Sequence, residues 1–170
     1  MEKIGLALSG GGVRSFCQVG IIKVFEKEGI PVDIITGTSM GAIIGAIYSL
    51  TKDAEFLQEA VLKFAREENI RKIERIFSRH REPGFIKRIF DGIKDLSLLI
   101  YDSFKTGLIS SESVLKGVKE YFKKDFYFED AKIPLGITAA EYGTGKLVIF
   151  NRGKILPAIV ASCAIPGLIT

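Results

Sequence analysis

The chain has no tryptophan, one histidine, two cysteines, two methionines and five prolines in 170 residues. Cys17 and Cys163 alone cannot build the disulfide framework of a small secreted domain. With His80 the sole imidazole, no His pair at metal spacing exists, and no Asp-rich loop occurs either. No metal and no cofactor are therefore expected. Long apolar runs are also missing. The longest, Met40–Leu50, falls well short of the roughly 20 residues a membrane-spanning helix needs. Met1-Glu2-Lys3 leads straight into Ile4-Gly5-Leu6-Ala7-Leu8 without a signal segment, so a cytoplasmic protein is expected.

Glycine, by contrast, is plentiful, at 18 residues against a usual share of roughly 7%. A composition 47% apolar and 26% charged is that of a globular domain, which excludes disorder and coiled coil. The length suits one domain with a core large enough to need no staples. The net charge of +4 is localised. Between Ile70 and Lys105 stand nine basic residues (Arg71, Lys72, Arg75, Arg79, Arg81, Lys87, Arg88, Lys94, Lys105) and five acidic ones (Glu74, Glu82, Asp91, Asp95, Asp102). That stretch carries the whole surplus and points toward an anionic surface.

The first fifty residues alternate strand and helix. Ile4–Leu8 reads as a buried strand, Ser9-Gly10-Gly11-Gly12 breaks it, and Phe16, Val19, Ile22 and Phe25 recur at helical spacing up to a stop at Gly29. Val32–Thr36 reads as a second strand and Ala42–Leu50 as a second helix, so a parallel sheet covered by helices is expected. Asp53 suits the cap of a helix to Glu67, Pro83-Gly84 makes a break, and Ser111 opens a helix to Phe122 or Lys124. Ile133–Glu141 returns to strand character. The turn Tyr142-Gly143-Thr144-Gly145 then leads to a hairpin strand, Leu147–Phe150, and a helix from Leu156 to Cys163.

Gly37-Thr38-Ser39-Met40-Gly41 fits G-x-S-x-G between a strand and a helix, the context that gives the motif meaning. Side chains two residues either side of the serine would collide with the neighbouring strand and helix, so both positions favour glycine, and Gly37 and Gly41 stand there. Ser39 is the candidate nucleophile, with a helix N-terminus behind it where an oxyanion develops. The loop Gly10-Gly11-Gly12-Val13-Arg14 after the first strand allows two uses, a phosphate cradle or an oxyanion hole. The dinucleotide pattern fails at Ser15, and Asp33 stands at the start of its strand, the wrong end for a cofactor crevice. The oxyanion hole (Gly10, Gly11, Gly12, steadied by Arg14) is favoured, since this loop and Ser39 both leave the carboxyl ends of strands.

Taken in order, the glycine loop, the serine turn, Ile137-Thr138-Ala139-Ala140-Glu141 with Thr144-Gly145, and Ala161-Ser162-Cys163-Ala164-Ile165-Pro166-Gly167 resemble the patatin-like phospholipase family. The similarity runs over nearly the whole of residues 1–170 and is weakest from about 65 to 110. Ser15 departs from the glycine that family usually carries after the loop's basic residue. The resemblance implies an α/β fold, a three-layer α/β/α sandwich with a mostly parallel central sheet. It also implies hydrolysis of lipid acyl esters by a Ser–Asp dyad without histidine.

A serine needs a positioned base. His80, between Arg79 and Arg81, reads as a solvent-facing residue. The family's Asp lies in an Asp-Gly-Gly or Asp-Gly-Ala motif some tens of residues after the segment resembling Ala161–Gly167, and so is expected after Thr170. As it stands, the chain is expected to hold a nucleophile without its partner and to be inactive. Asp91-Gly92-Ile93 comes too early, on the polar face of a pattern whose apolar stripe is Ile86, Ile89, Phe90 and Ile93. Asp130 precedes its strand, and Glu141, at the correct edge, leads the hairpin turn. Residues 70–105 read as a basic amphipathic insertion or lid suited to an anionic membrane surface, at the inner face of the membrane. The interleaved acids disfavour nucleic acid. The competing function is a non-catalytic lipid-surface binding module.

Overall fold

The computed structural model of the chain describes residues 3–66 and 125–164. The elements are β1 (Gly5–Leu8), a 3-10 turn (Gly12–Phe16), α1 (Cys17–Lys27), β2 (Ile34–Thr38), α2 (Met40–Thr51), α3 (Ala54–Arg66), a second 3-10 turn (Phe128–Asp130), β3 (Leu135–Ala140), β4 (Leu147–Phe150) and α4 (Ile155–Cys163). The expected lid at 70–105, with His80 and Asp91, and the helix expected from Ser111 lie outside the described residues.

The strands form one sheet in the order β1-β2-β3-β4. The first two pairings are parallel and the last antiparallel, closed by the hairpin the turn residues announce. This is an α/β fold with a mixed, mostly parallel sheet. Leu8 pairs with Gly37 and Gly37 with Ile137, so the carboxyl ends of β1 and β2 come level. A parallel pair needs a crossover, and α1 supplies the one from β1 to β2. Because the strand order advances in one direction, right-handed crossovers deliver α1 and α2 to the same face. Val19 and Ile22 of α1 accordingly share a core with Leu8, Ile35 and Ile137 from the sheet and Ile43, Ile44 and Ile47 from α2.

Helix α2 is the centre of that core. Every residue from Met40 to Ser49 is buried, as a helix without a polar face must be. It lies close on the strands because Gly45 has no side chain, and a Cβ there would come 3.0 Å from Ile35 Cγ2. Around it pack α3, through Leu57, Ala60, Val61 and Phe64, and α4, through Ile155, Ala158, Ile159 and Cys163. Each set recurs at helical spacing, and each fully buried aliphatic side chain contributes about 1.5–3 kcal/mol. Asp53 caps α3 as expected, its Oδ1 accepting the Phe56 N–H at 2.8 Å.

The opposite face of the sheet carries Ile34, Thr36 and Thr38 of β2, Thr138 of β3, and Leu147 and Ile149 of β4. Leu147 is 70% exposed and Ile149 56%. The described residues thus supply the sheet and the helices on one of its faces. The second helical layer of the expected sandwich is not among them. Among the described residues no helix is long and apolar enough to cross a membrane.

Candidate active site

Strand β2 runs to Thr38 without a break, and the chain then reverses at a single residue. Ser39 takes φ 53° and ψ −121° before α2 begins at Met40. A non-glycine residue in such a region stores about 1–3 kcal/mol of strain. The cause is the two flanking glycines. A Cβ on Gly37 would lie 2.4 Å from Gly41 O and 2.7 Å from Ala42 Cα, and one on Gly41 would lie 2.3 Å from Leu8 O. Strand, bend and helix are pressed together so closely that only backbone fits between them. Ser39 O accepts the first helical hydrogen bonds, from Ala42 N at 2.9 Å and Ile43 N at 3.3 Å. No acidic side chain occupies the first turn, so the positive end of α2 is left uncompensated beside the serine.

The glycine loop lies against this bend. A Cβ on Gly10 would sit 3.1 Å from Ser39 Cβ and 3.8 Å from Ser39 Oγ. Gly11 (φ 145°) and Gly12 (φ 58°) turn the loop through backbone conformations that favour glycine. Among the described residues none accepts a hydrogen bond from the N–H of Gly10, Gly11 or Gly12. The structure therefore brings together Ser39, Gly10 and the elbow glycines Gly37 and Gly41, with Gly11 and Gly12 continuing the loop.

Arg14 closes the loop's turn through its backbone. It is exposed, and its contribution to the loop is its backbone N–H, which donates to Gly11 O at 3.3 Å. What anchors the loop is a pair of buried side chains behind it. Ser15 Oγ donates to Ser9 O at 3.1 Å, and Gln18 Nε2 donates to the same oxygen at 2.9 Å. The residue that departs from the family pattern, Ser15, is thus part of the anchor. Buried hydrogen bonds of this kind contribute about 0.5–1.5 kcal/mol each.

Two further residues at Ser39 had no role assigned from the sequence. Ser162, near the end of α4, accepts the Ser39 N–H at 2.7 Å. Cys163 follows it, buried; burial pushes its thiol up to about 11, while a hydrogen bond with the Ser39 side chain draws it partly back. Both belong to the Ala161–Gly167 run, which marked the family without indicating a contact. On the open face of the sheet the hydroxyls of Thr38 and Thr138 meet at 2.6 Å beside the bend.

Each described aspartate is engaged away from Ser39. Asp33 Oδ2 accepts the Ile4 N–H at 2.7 Å, at the amino end of β2, and Asp53 caps α3. Asp125 pairs with Lys154 at 2.6 Å, and Asp130 Oδ2 accepts the Tyr127 N–H at 2.8 Å. Glu141 accepts from Thr144 Oγ1, and its backbone closes the hairpin through Lys146 O and Gly145 N. The glutamate thus leads the turn, as its sequence position suggests.

Fold and site together define an α/β protein with a strained serine at a strand-to-helix bend and a glycine loop beside it. Residues 6–170 match the model of the patatin-like phospholipase family, and the chain belongs to that family. Among curated relatives, "Lysophospholipase NTE1" of Kluyveromyces lactis is 31% identical over 126 residues, which is 74% of this chain and 7% of that protein. "Lysophospholipase nte1" of Aspergillus oryzae is 50% identical over 64 residues, 38% of this chain and 4% of that protein. The chain thus spans a small fraction of these relatives' length. Among solved structures it is similar to the type III effector protein ExoU, with a TM-score of 0.55 and 18% identity over 98% of this chain and 41% of that one. Full-length ExoU of Pseudomonas aeruginosa, in complex with SpcU, gives 0.53 and 17% over 96% and 38%. Both structural likenesses concern the fold.

Proposed function

We propose that this chain carries the nucleophile of a serine hydrolase that cleaves acyl esters of lipids, lysophospholipids and phospholipids first among them. The observation that carries the reading is the strained Ser39 (φ 53°), with the glycine loop so close that a Cβ on Gly10 would lie 3.1 Å from Ser39 Cβ. Ser39 Oγ attacks the ester carbonyl carbon, and its proton passes to a carboxylate. The oxygen that becomes negative is stabilised by the N–H groups of Gly10–Gly12 and by the N-terminal end of α2. One such donor is worth about 2.7–4 kcal/mol. Ser39's own N–H is already given to Ser162, so the oxyanion donors have to come from the neighbouring loop and the helix. The tetrahedral intermediate collapses, the C–O bond to the lipid alcohol breaks, and the alcohol leaves with the proton. Water then attacks the acyl-serine through the same base and releases the fatty acid.

The base in this reading is an aspartate outside the described residues, in keeping with a Ser–Asp dyad, since the described aspartates are all engaged elsewhere. The basic stretch 70–105 would hold the enzyme at an anionic lipid surface, and water insolubility of the substrate makes such a surface the place of catalysis. The test is a fluorophosphonate probe on the natural chain, extended past Thr170 wherever its gene continues. Labelling is expected on Ser39, lost in Ser39→Ala and kept in His80→Ala. Labelling that survives Ser39→Ala overturns the assignment.

A further inference from the structure

Helix α4 buries Ile155 and Ile159 on one stripe, and Ser162 stands on the same face, seven residues after the first. The helix rule calls for an apolar residue at that point. A partly buried serine sits there instead, and its Oγ lies 2.7 Å from the backbone nitrogen of Ser39, 123 residues away in sequence. That N–H has left the strand ladder, because β2 ends at Thr38. Nor has it an acceptor within α2, because the N–H groups of a helix's first turn and cap have none. Among the described residues the Ser162 hydroxyl is the acceptor it finds.

The neighbour of Ser162, Cys163, is buried, and the Ser39 side chain is among the groups that set the pKa of its thiol. The end of α4 therefore grips the backbone of the bend through Ser162. A conformation as strained as that of Ser39 persists only where surrounding contacts over-determine it. The Gly37–Gly41 packing supplies one such set from the strand and α2. The α4 contact supplies the other.

We infer that Ser162 is a positioning residue for the nucleophile: its hydroxyl, by accepting the Ser39 N–H, fixes the bend that aims Ser39 Oγ at the ester carbonyl. This rests on Ser39 being the nucleophile, and it assigns Ser162 no contact with substrate. Removing the acceptor leaves a partly buried donor unpaired, which translates into a loss of about 10–100-fold in the rate at which the serine is acylated. Reactivity should fall, whereas probe binding should not.

The experiment measures fluorophosphonate inactivation of the natural full-length chain as a function of probe concentration. Ser162→Ala is expected to lower kinact about 10–100-fold with KI changed less than about 2-fold. Ser162→Thr keeps the acceptor oxygen and should recover most of the rate, whereas its isostere Ser162→Val should not. A purely structural role would impair Thr and Val alike. Equal impairment of the two, or an Ala variant within about 2-fold of the parent, overturns the inference. Amide hydrogen exchange at Ser39 gives a readout independent of activity. Protection there should be lost in Ser162→Ala while the α2 core amides keep theirs. If the parent chain fails to label, the hydrolase reading falls, and exchange still decides the hydrogen bond: unchanged protection in the Ala variant overturns it.

Discussion

Gly41→Ala is the sharpest single test of the bend as a packing device. Its Cβ would be placed 2.3 Å from Leu8 O, 2.6 Å from Leu8 C and 2.8 Å from Ser9 O. All three neighbours are backbone atoms, so no side chain can rotate away. Relief requires α2 to retreat from β1 by about an ångström, and α2 is buried along Met40–Ser49, so retreat opens its contacts with sheet and helices together. Overpacking of a core typically costs 1–3 kcal/mol, and a backbone-walled site belongs at or above the top of that range, about 3 kcal/mol. For a chain of this size that corresponds to a melting temperature lower by roughly 6–12 °C. Gly20→Ala, in the exposed middle of α1 with nothing within 4 Å of the added carbon, is the matched control. It should gain about 0.5–1 kcal/mol from helix propensity. Urea unfolding of both variants supplies the numbers. A Gly41→Ala variant within 1 kcal/mol of the parent would refute the argument that sterics, and not chance, place glycine there.

Further predictions concern the thiols, the loop anchor and the basic stretch. Iodoacetamide at about pH 8 should modify exposed Cys17 readily and leave Cys163 untouched until the chain unfolds, since burial holds the latter's thiol near 11. Because the folded value lies above the ordinary 9.0, the Cys163 contribution to stability is full below pH 9 and is lost as pH rises toward about 11. Cys163→Ala should flatten that alkaline slope in urea midpoints. Gln18→Ala removes a 2.9 Å bond to Ser9 O; it should destabilise by about 1–2 kcal/mol and slow labelling of Ser39 by loosening the glycine loop. Replacing Arg79, Arg81, Lys87 and Arg88 together should weaken binding to anionic vesicles and its salt dependence, and leave neutral-vesicle binding unchanged.

The fold was legible where local pattern and tertiary demand agree. Leu147–Phe150 was read with the observed bounds, and α4 and β1 each begin within one residue of their expected starts. Asp53 announced α3 because an N-cap is a local signal. At β2 the reading stopped two residues early, at Thr36, because Gly37 looks like a breaker. In fact it continues the strand, paired with Leu8 and Ile137. It is glycine because Gly41 O is in the way of a side chain, not because the chain turns there. The serine bend was legible for the same steric reason. The Ser162 contact was not, since nothing in the spacing of residues 39 and 162 says that α4 ends against α2. The Ser15 and Gln18 anchors were hidden too, because a polar residue in a turn or on an amphipathic helix looks solvated until its partner's position is known.

Three stretches distant in sequence, 9–18, 37–41 and 162–163, converge on one serine, and the same contacts hold the fold. Gly41 abuts the end of β1, Gly10 abuts Ser39, and Ser162 ties α4 to the bend. Strain of about 1–3 kcal/mol at Ser39 is small against the burial of α2, yet comparable with any one of these contacts. Loosening any one of them therefore relaxes the serine long before it unfolds the domain. That explains why the device is built on α2, which alone among the described helices has no exposed face. A serine bend on a surface helix would rest on a base that itself opens locally, whereas α2, enclosed by the sheet, α3 and α4, gives the bend a fixed base against which these few contacts set a single backbone dihedral.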